Sequence, residues 1–114
     1  MSQTAPEGLA RYLRMMSDRN ASDLHFKAGA RPAIRVHSEL AGLEGEPIMT
    51  DESITRLFYP LFTERQRAQY EERGSLDIGL TLAEAGRFRI NVFRQRGVTS
   101  VAVRRVHRLI SSFE

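Results

Sequence analysis

At 114 residues, with 41% apolar content and no cysteine, the chain is sized for one domain with one modest core, and disulfides and thiolate metal sites are excluded. It has no apolar run long enough to span a membrane and no charged n-region followed by an apolar h-region, so the sequence reads as a cytosolic, soluble domain. The net charge of +3 is lopsided: residues 1–84 carry 10 basic and 13 acidic groups, whereas residues 85–114 carry 7 arginines against Glu114 alone.

Thr4-Ala5-Pro6-Glu7 has capping-box spacing, and Leu9, Tyr12, Leu13 and Met16 follow at helical intervals. This predicts an amphipathic helix over 6–19, with Arg11 and Arg14 near its solvent edge and Asn20 closing it. Ser22 to Lys27 alternates as a strand with Leu24 and Phe26 inward and Asp23 and His25 outward. Residues 28–32 form a turn, and Ala33 to His37 is a second strand with Ile34 and Val36 inward. His37-Ser38 connects it to a stub around Leu40, and residues 41–49 read as a surface loop. Thr50 caps a short helix carrying Ile54, Leu57 and Phe58 and stopped by Pro60. Thr63-Glu64-Arg65-Gln66 is a second capping box, opening a helix to about Arg73 with Gly74 at its end. Leu76, Ile78 and Leu80 point inward from a strand over 75–80, and residues 82–86 form a hairpin loop. The order of elements is that of an α+β domain with one antiparallel sheet and helices on one face.

The chain's last third is its most informative stretch. Phe88, Ile90 and Val92 alternate with Arg87, Arg89 and Asn91, and a second β-branched run, Val98 to Val106, follows Arg96-Gly97. A two-residue turn at Arg96-Gly97 sets Ile90 against Val103, Val92 against Val101 and, on the other face, Arg89 against Arg104. Like charges directly opposed are unfavourable, so an anion is expected to sit between the two arginines. Sixteen of the 17 basic residues are arginine, the side chain suited to planar two-point contact with phosphate or carboxylate. Pattern alone leaves three readings of this cluster. It could be a solvated face, a nucleic-acid surface with Phe93 between Arg94 and Arg96, or a set that meets phosphate or acidic groups at another domain.

No glycine-rich phosphate loop with its lysine is present. His25, His37 and His107 are scattered and make a poor metal set, and Asp23 with His25 reads as a local hydrogen-bonded pair, not as part of a catalytic triad. Taken alone, the chain lacks an active site.

Three segments resemble a known family. Asn20-Ala21-Ser22-Asp23-Leu24-His25-Phe26 is similar to the A-S-D-L-H signature of PilT-type twitching-motility ATPases. Gly29 to Val36 is similar to their G-x-x-P-x-x-R-V segment, and Gly86 to Phe93 with Gln95-Arg96-Gly97 to their R-F-R-V-N-x-F-x-Q-R-G segment. His37-Ser38 stands where relatives often carry Asp-Gly or Asn-Gly. The resemblance implies a PAS-like N-terminal domain over 1–110, with 111–114 starting the linker to an absent RecA-like ATPase domain. It implies no cofactor in this piece, ATP and Mg2+ in the full protein, and a homohexameric pilus retraction motor. The expected partners are the RecA-like domains of the same and neighbouring subunits and the inner-membrane pilus platform protein, with no nucleic acid. The expected location is the cytoplasmic face of the inner membrane. Carried over residue by residue, Arg89 and Arg104, then Arg94 and Arg96, are the expected nucleotide-phosphate contacts. Arg87, Phe93, Arg11 and Arg14 are candidate intersubunit contacts. The rivals are a stand-alone PAS-like sensor, with a ligand cavity lined by Leu24, Ile34, Ile78 and Val101, and a nucleic-acid-binding domain.

Overall fold

The structure, a computed structural model, describes residues 5–106. Thr4, His107 and the expected linker start at 111–114 lie outside the described residues. The elements run α1 (Glu7–Asp18), β1 (Asp23–Phe26), β2 (Ala33–Val36), β3 (Glu39–Gly42), α2 (Asp51–Phe58), a 3-10 turn (Tyr59–Leu61), α3 (Glu64–Arg73), β4 (Ser75–Leu82), β5 (Gly86–Gln95) and β6 (Val98–Val106). The six strands form one antiparallel sheet in the order β3-β2-β1-β6-β5-β4. The expected α+β architecture is the observed one.

Pairing between β1 and β6 joins two locally built halves, β1–β3 and β4–β6, through the pairs Asp23/Arg104, Leu24/Val103, His25/Ala102 and Phe26/Val101. Alternation then sends Leu24, Phe26, Ile34, Leu76, Ile78, Leu80, Phe88, Ile90, Val92, Val101 and Val103 to one buried face, where the helices cover them. Phe26 is the hub: Tyr12 of α1 and Phe58 of α2 each meet its ring edge-on at 5.1 Å. Such pairs add about 0.5–1.5 kcal/mol each beyond area burial. Gly8 permits the crossing of α1 and α2, since a Cβ there would come within 3.3 Å of Leu57 Cδ1. Leu24, Ile34, Ile78 and Val101, the lining expected of a sensor cavity, are all buried members of this one contiguous core.

The local signals place most boundaries within two residues. The capping boxes at Thr50 and Thr63 form with reciprocal bonds to Ser53 and Gln66. The β5–β6 register is the one expected, and Arg96 and Gly97 have φ of 56° and 79°, a turn of the type whose twist suits a two-residue hairpin. Asn20 does close α1, in the left-handed region at φ 55°.

Four details differ. Pro6, expected inside α1, is its N-cap and offers no side-chain bond, since proline has none to give. The stub at Leu40 is a full edge strand, because β2 supplies partners from Val36/Glu39 to Ala33/Gly42. The expected 41–49 surface loop is shorter and not simply surface: Ala41 and Gly42 end β3, Leu43 and Met49 are buried, and backbone bonds Leu43 N to Pro32 O, Gly29 N to Met49 O and Met49 N to Ala30 O (each 2.8 Å) fasten it to the β1–β2 turn. β4 runs two residues past its expected end, because Thr81 and Leu82 find partners in Arg87 and Gly86.

Candidate functional site

The face of the sheet away from the helices is uncovered among the described residues, and the register orders its side chains in rows. One row across the strands reads Leu40, Arg35, Asp23, Arg104, Arg89, Gly79. The next reads Gly42, Ala33, His25, Ala102, Asn91, Asp77. Arg89 and Arg104 are thus direct cross-strand neighbours, both exposed. Between the two rows lies a shallow depression of about 280 Å³, lined by Asp23, His25, Asp77, Arg89, Asn91 and Arg104 around Ala102. Ala102 lacks the bulk to fill the space that the flanking arginines leave, and Gly79, opposite Arg89, adds no side chain beside it. A Cβ built on Gly79 would meet nothing within 4 Å.

The charges in this face are unequally matched. Asp23 Oδ1 lies 3.5 Å from Arg104 Nε, and its Oδ2 lies 3.5 Å from Arg35 Nε while accepting from the Ser22 hydroxyl at 2.8 Å. These ion pairs are long, and the Arg104 side chain is 76% exposed, so the Arg104 pair is worth at most about 1 kcal/mol. Asp77 accepts from Asn91 Nδ2 at 3.1 Å. Arg89 has no carboxylate within salt-bridge distance among the described residues. A pair of adjacent guanidinium groups, of which only Arg104 has a counterion and that a weak one, beside the small side chain of Ala102, is suited to an oxyanion.

The other arginines named from sequence are dispersed. Arg94 has the inward parity of Ile90 and Val92 and stacks over the Tyr70 ring, 4.7 Å from its centroid, on the helix side of the sheet. Its backbone N–H bonds Gly74 O at 2.8 Å, so it ties β5 to the end of α3. Arg96 sits at the tip of the β5–β6 turn. The four arginines therefore do not form one cluster: only Arg89 and Arg104 share a row. Arg87 and Phe93 lie on the open face, Arg87 beyond Arg89 and Phe93 opposite Ser100. Arg11 grips Glu46 through two bonds of 2.9 and 3.0 Å and stacks on Tyr12, and Arg14 reaches Glu7 at 2.6 Å and Glu84 at 3.2 Å. Both of the α1 arginines are thus engaged within the chain.

The Tyr12 hydroxyl donates to Glu46 at 2.7 Å. Burial, then the bond to this carboxylate, push the Tyr12 phenol up to about 12. Arg11 holds the Glu46 carboxyl below its ordinary range and is itself raised by that bond.

Sequence reading missed Asp23 and Arg35 as parts of the site. The pairing read into Asp23 and His25 does not describe Asp23, whose partners are Ser22, Arg35 and Arg104. Outward parity was a usable signal for both residues, but the β1–β6 junction that brings them beside Arg104 carries no local one. Among the described residues no group of three His, Cys, Asp or Glu could hold a metal ion, and no helix is long and apolar enough to cross a membrane.

No protein-family model matches the chain. Individual relatives do. The chain is 32% identical over 90 residues to the type IV pilus retractation ATPase PilT of Pseudomonas aeruginosa, covering 78% of this chain and 26% of that protein. It is 26% identical over 102 residues to the type IV pilus ATPase PilU of the same organism, covering 90% of this chain and 26% of PilU. Its fold superposes on the pilus retraction motor PilT solved with bound ADP, with a TM-score of 0.76 and 29% identity, over 92% of this chain and 30% of that one. The Legionella pneumophila ATPase DotB shares the fold at a TM-score of 0.72 and 16% identity, over 94% of this chain and 30% of DotB. The chain spans about a quarter of the length of the curated relatives it matches.

Proposed function

We propose that this chain, an N-terminal domain of the PilT-type ATPases, is the non-catalytic, arginine-presenting part of a pilus retraction motor. In this reading Arg89 and Arg104 approach the phosphate oxygens of a nucleotide held by an ATPase domain of the same larger protein. The observation that carries it is the opposed Arg89/Arg104 pair on an uncovered sheet face, with Arg89 lacking a carboxylate among the described residues. Opposing two cations is unfavourable in isolation and becomes favourable once a phosphate lies between them. PilT, which the chain matches in sequence and fold, has been solved with ADP.

The residues present fit one part of a nucleotide, its phosphate oxygens. When bound, ATP with Mg2+ would supply the phosphoryl chemistry, and the chain's own contribution is positioned positive charge. Packing in a hexamer would use the remaining groups of this face, exposed Arg87 and half-buried Phe93, against a neighbouring subunit. Arg94, stacked on Tyr70, belongs to the fold of the domain and not to the phosphate contact. The setting is the cytoplasmic side of the inner membrane, against the pilus platform protein.

The test is made in the longer protein. Arg89→Ala and Arg104→Ala each lower ATP hydrolysis by roughly tenfold or more while leaving thermal stability unchanged or slightly raised. Arg94→Ala lowers stability and leaves the rate per folded molecule in place. Normal hydrolysis by folded assemblies of both the Arg89 and Arg104 variants overturns the phosphate role. The reading frame beyond Glu114 gives a second check, since the motor requires a GxxxxGK[ST] loop following a strand. A stop codon soon after Glu114 overturns the motor and leaves the fold intact.

A further inference from the structure

The arginine row contains one carboxylate, and it is built into the sheet. The Asp23 side chain is 17% exposed, starts strand β1 and is held by the Ser22 hydroxyl at 2.8 Å. Arg104, its partner at 3.5 Å, is 76% exposed and reaches it from the last strand of the other half of the sheet. The carboxylate is therefore the fixed member of this pair and the guanidinium the movable one. Asp77 also lines the depression, but its carboxylate takes the Asn91 amide and has no arginine within salt-bridge distance among the described residues. The two acids bordering the same space thus differ in kind: one occupies an arginine, the other does not.

We infer that Asp23 is a built-in competitor for Arg104, a carboxylate that an incoming phosphate must displace, so that it sets how tightly the open face takes anions; this rests on the phosphate reading of that face. Without ligand, Asp23 neutralises part of the like-charge row and holds Arg104 by its Nε toward β1. An oxyanion arriving at Arg89 draws the Arg104 guanidinium away from Asp23, and Arg35 remains as the counterion that holds Asp23 in place. Arg35, Arg104 and Arg89 against Asp23 leave the row with two positive charges in excess, which matches a doubly charged phosphate better than a single carboxylate.

The experiment is a titration of this chain with inorganic pyrophosphate at low salt, followed by NMR shifts of β5 and β6 amides, for wild type, D23N, D77N and R89A. D23N keeps the shape and the Ser22 bond while removing the competing charge. It is expected to tighten pyrophosphate by roughly three- to fivefold, the equivalent of one exposed ion pair. D77N, which changes the same net charge from the same depression, is expected to change affinity by less than roughly twofold at matched ionic strength. If D23N fails to fold, the wild-type carboxyl carbon resonances decide: pyrophosphate must shift that of Asp23 and leave that of Asp77 nearly still. Equal effects of D23N and D77N, or weaker binding by D23N, overturn the competitor role while leaving the phosphate face standing. Binding unaffected by R89A, or no binding in any variant, overturns the phosphate face itself.

Discussion

The opposed arginines give an expectation in which stability and function move in opposite directions. Arg89→Glu replaces a cross-strand repulsion with an attraction to Arg104. For two unit charges taken at about 6 Å in water, the repulsion is about 0.7 kcal/mol, and reversing its sign doubles the change. Screening at 0.1 M salt removes nearly half, leaving a stabilisation of about 0.7 kcal/mol, or roughly 3–5 °C in Tm for a domain of this size. No side chain obstructs the new carboxylate on the β4 side, where Gly79 stands opposite. The assay is urea unfolding at low salt, at 0.1 M and at 1 M sodium chloride. The midpoint of Arg89→Glu should exceed that of wild type at low salt, with an unchanged slope, and the gain should vanish at 1 M. The same substitution should abolish pyrophosphate binding. A gain that persists at 1 M salt, or a loss of stability at low salt, would refute the idea that Arg89 and Arg104 repel across an open face.

Other expectations concern the supports of the fold. Glu46→Ala removes the carboxylate that holds Arg11 and Tyr12 and should cost about 1–2 kcal/mol at neutral pH, discounted because Arg11 is half exposed. Because the Glu46 pKa is depressed in the folded state, its contribution is complete above the ordinary glutamate range and is lost as pH falls through the folded value. The difference between wild type and Glu46→Ala in thermal melts should therefore narrow in acid, and a constant difference counts against the assignment. In alkaline titration followed by phenolate absorbance, Tyr12 should ionise late, near pH 12, and Glu46→Ala should bring that step down. At the β2–β3 turn, His37 and Ser38 occupy left-handed backbone at φ 52° and 71°. Ser38→Gly should thus stabilise by about 0.5–1 kcal/mol in urea unfolding, and a destabilised variant would show that the Ser38 side chain contributes more than its strain costs.

What the sequence disclosed follows from how local each signal is. The β5–β6 hairpin was legible in full, because a two-residue turn fixes register and alternation fixes the faces; the Arg89/Arg104 pair came with it. Charge alone groups Arg94 with that pair, although its parity places it with Ile90 and Val92. The glycines and acids of residues 41–49 read as a surface loop, and the anchoring of Leu43 and Met49 depends on bonds to the β1–β2 turn that composition does not register. The partnership of Asp23 with Arg104 joins positions 81 residues apart. Contacts of such separation arise only when the two halves of the sheet meet, and no spacing rule within either half announces them.

The two faces of the β5–β6 hairpin explain why a like-charge row can persist in a marginally stable domain. On the buried face, Phe88, Ile90, Val92, Val101 and Val103 are each 2% exposed or less. Fully burying such a side chain is worth about 1.5–3 kcal/mol. Arg89 facing Arg104 costs only some tenths of a kcal/mol, so the inner face outweighs the outer by far. The register that makes the core also makes the clash, since any one-residue slip that separated the arginines would turn the apolar set out to water. The repulsion is therefore locked in by packing on the opposite side of the sheet, and it stays available as a favourable change when an anion binds. Asp23 lowers that stored repulsion only in part, because it reaches Arg104 at 3.5 Å and leaves Arg89 uncompensated among the described residues. A domain selected for stability alone would place an acid at position 89; an arginine there makes physical sense where a negatively charged partner completes the row.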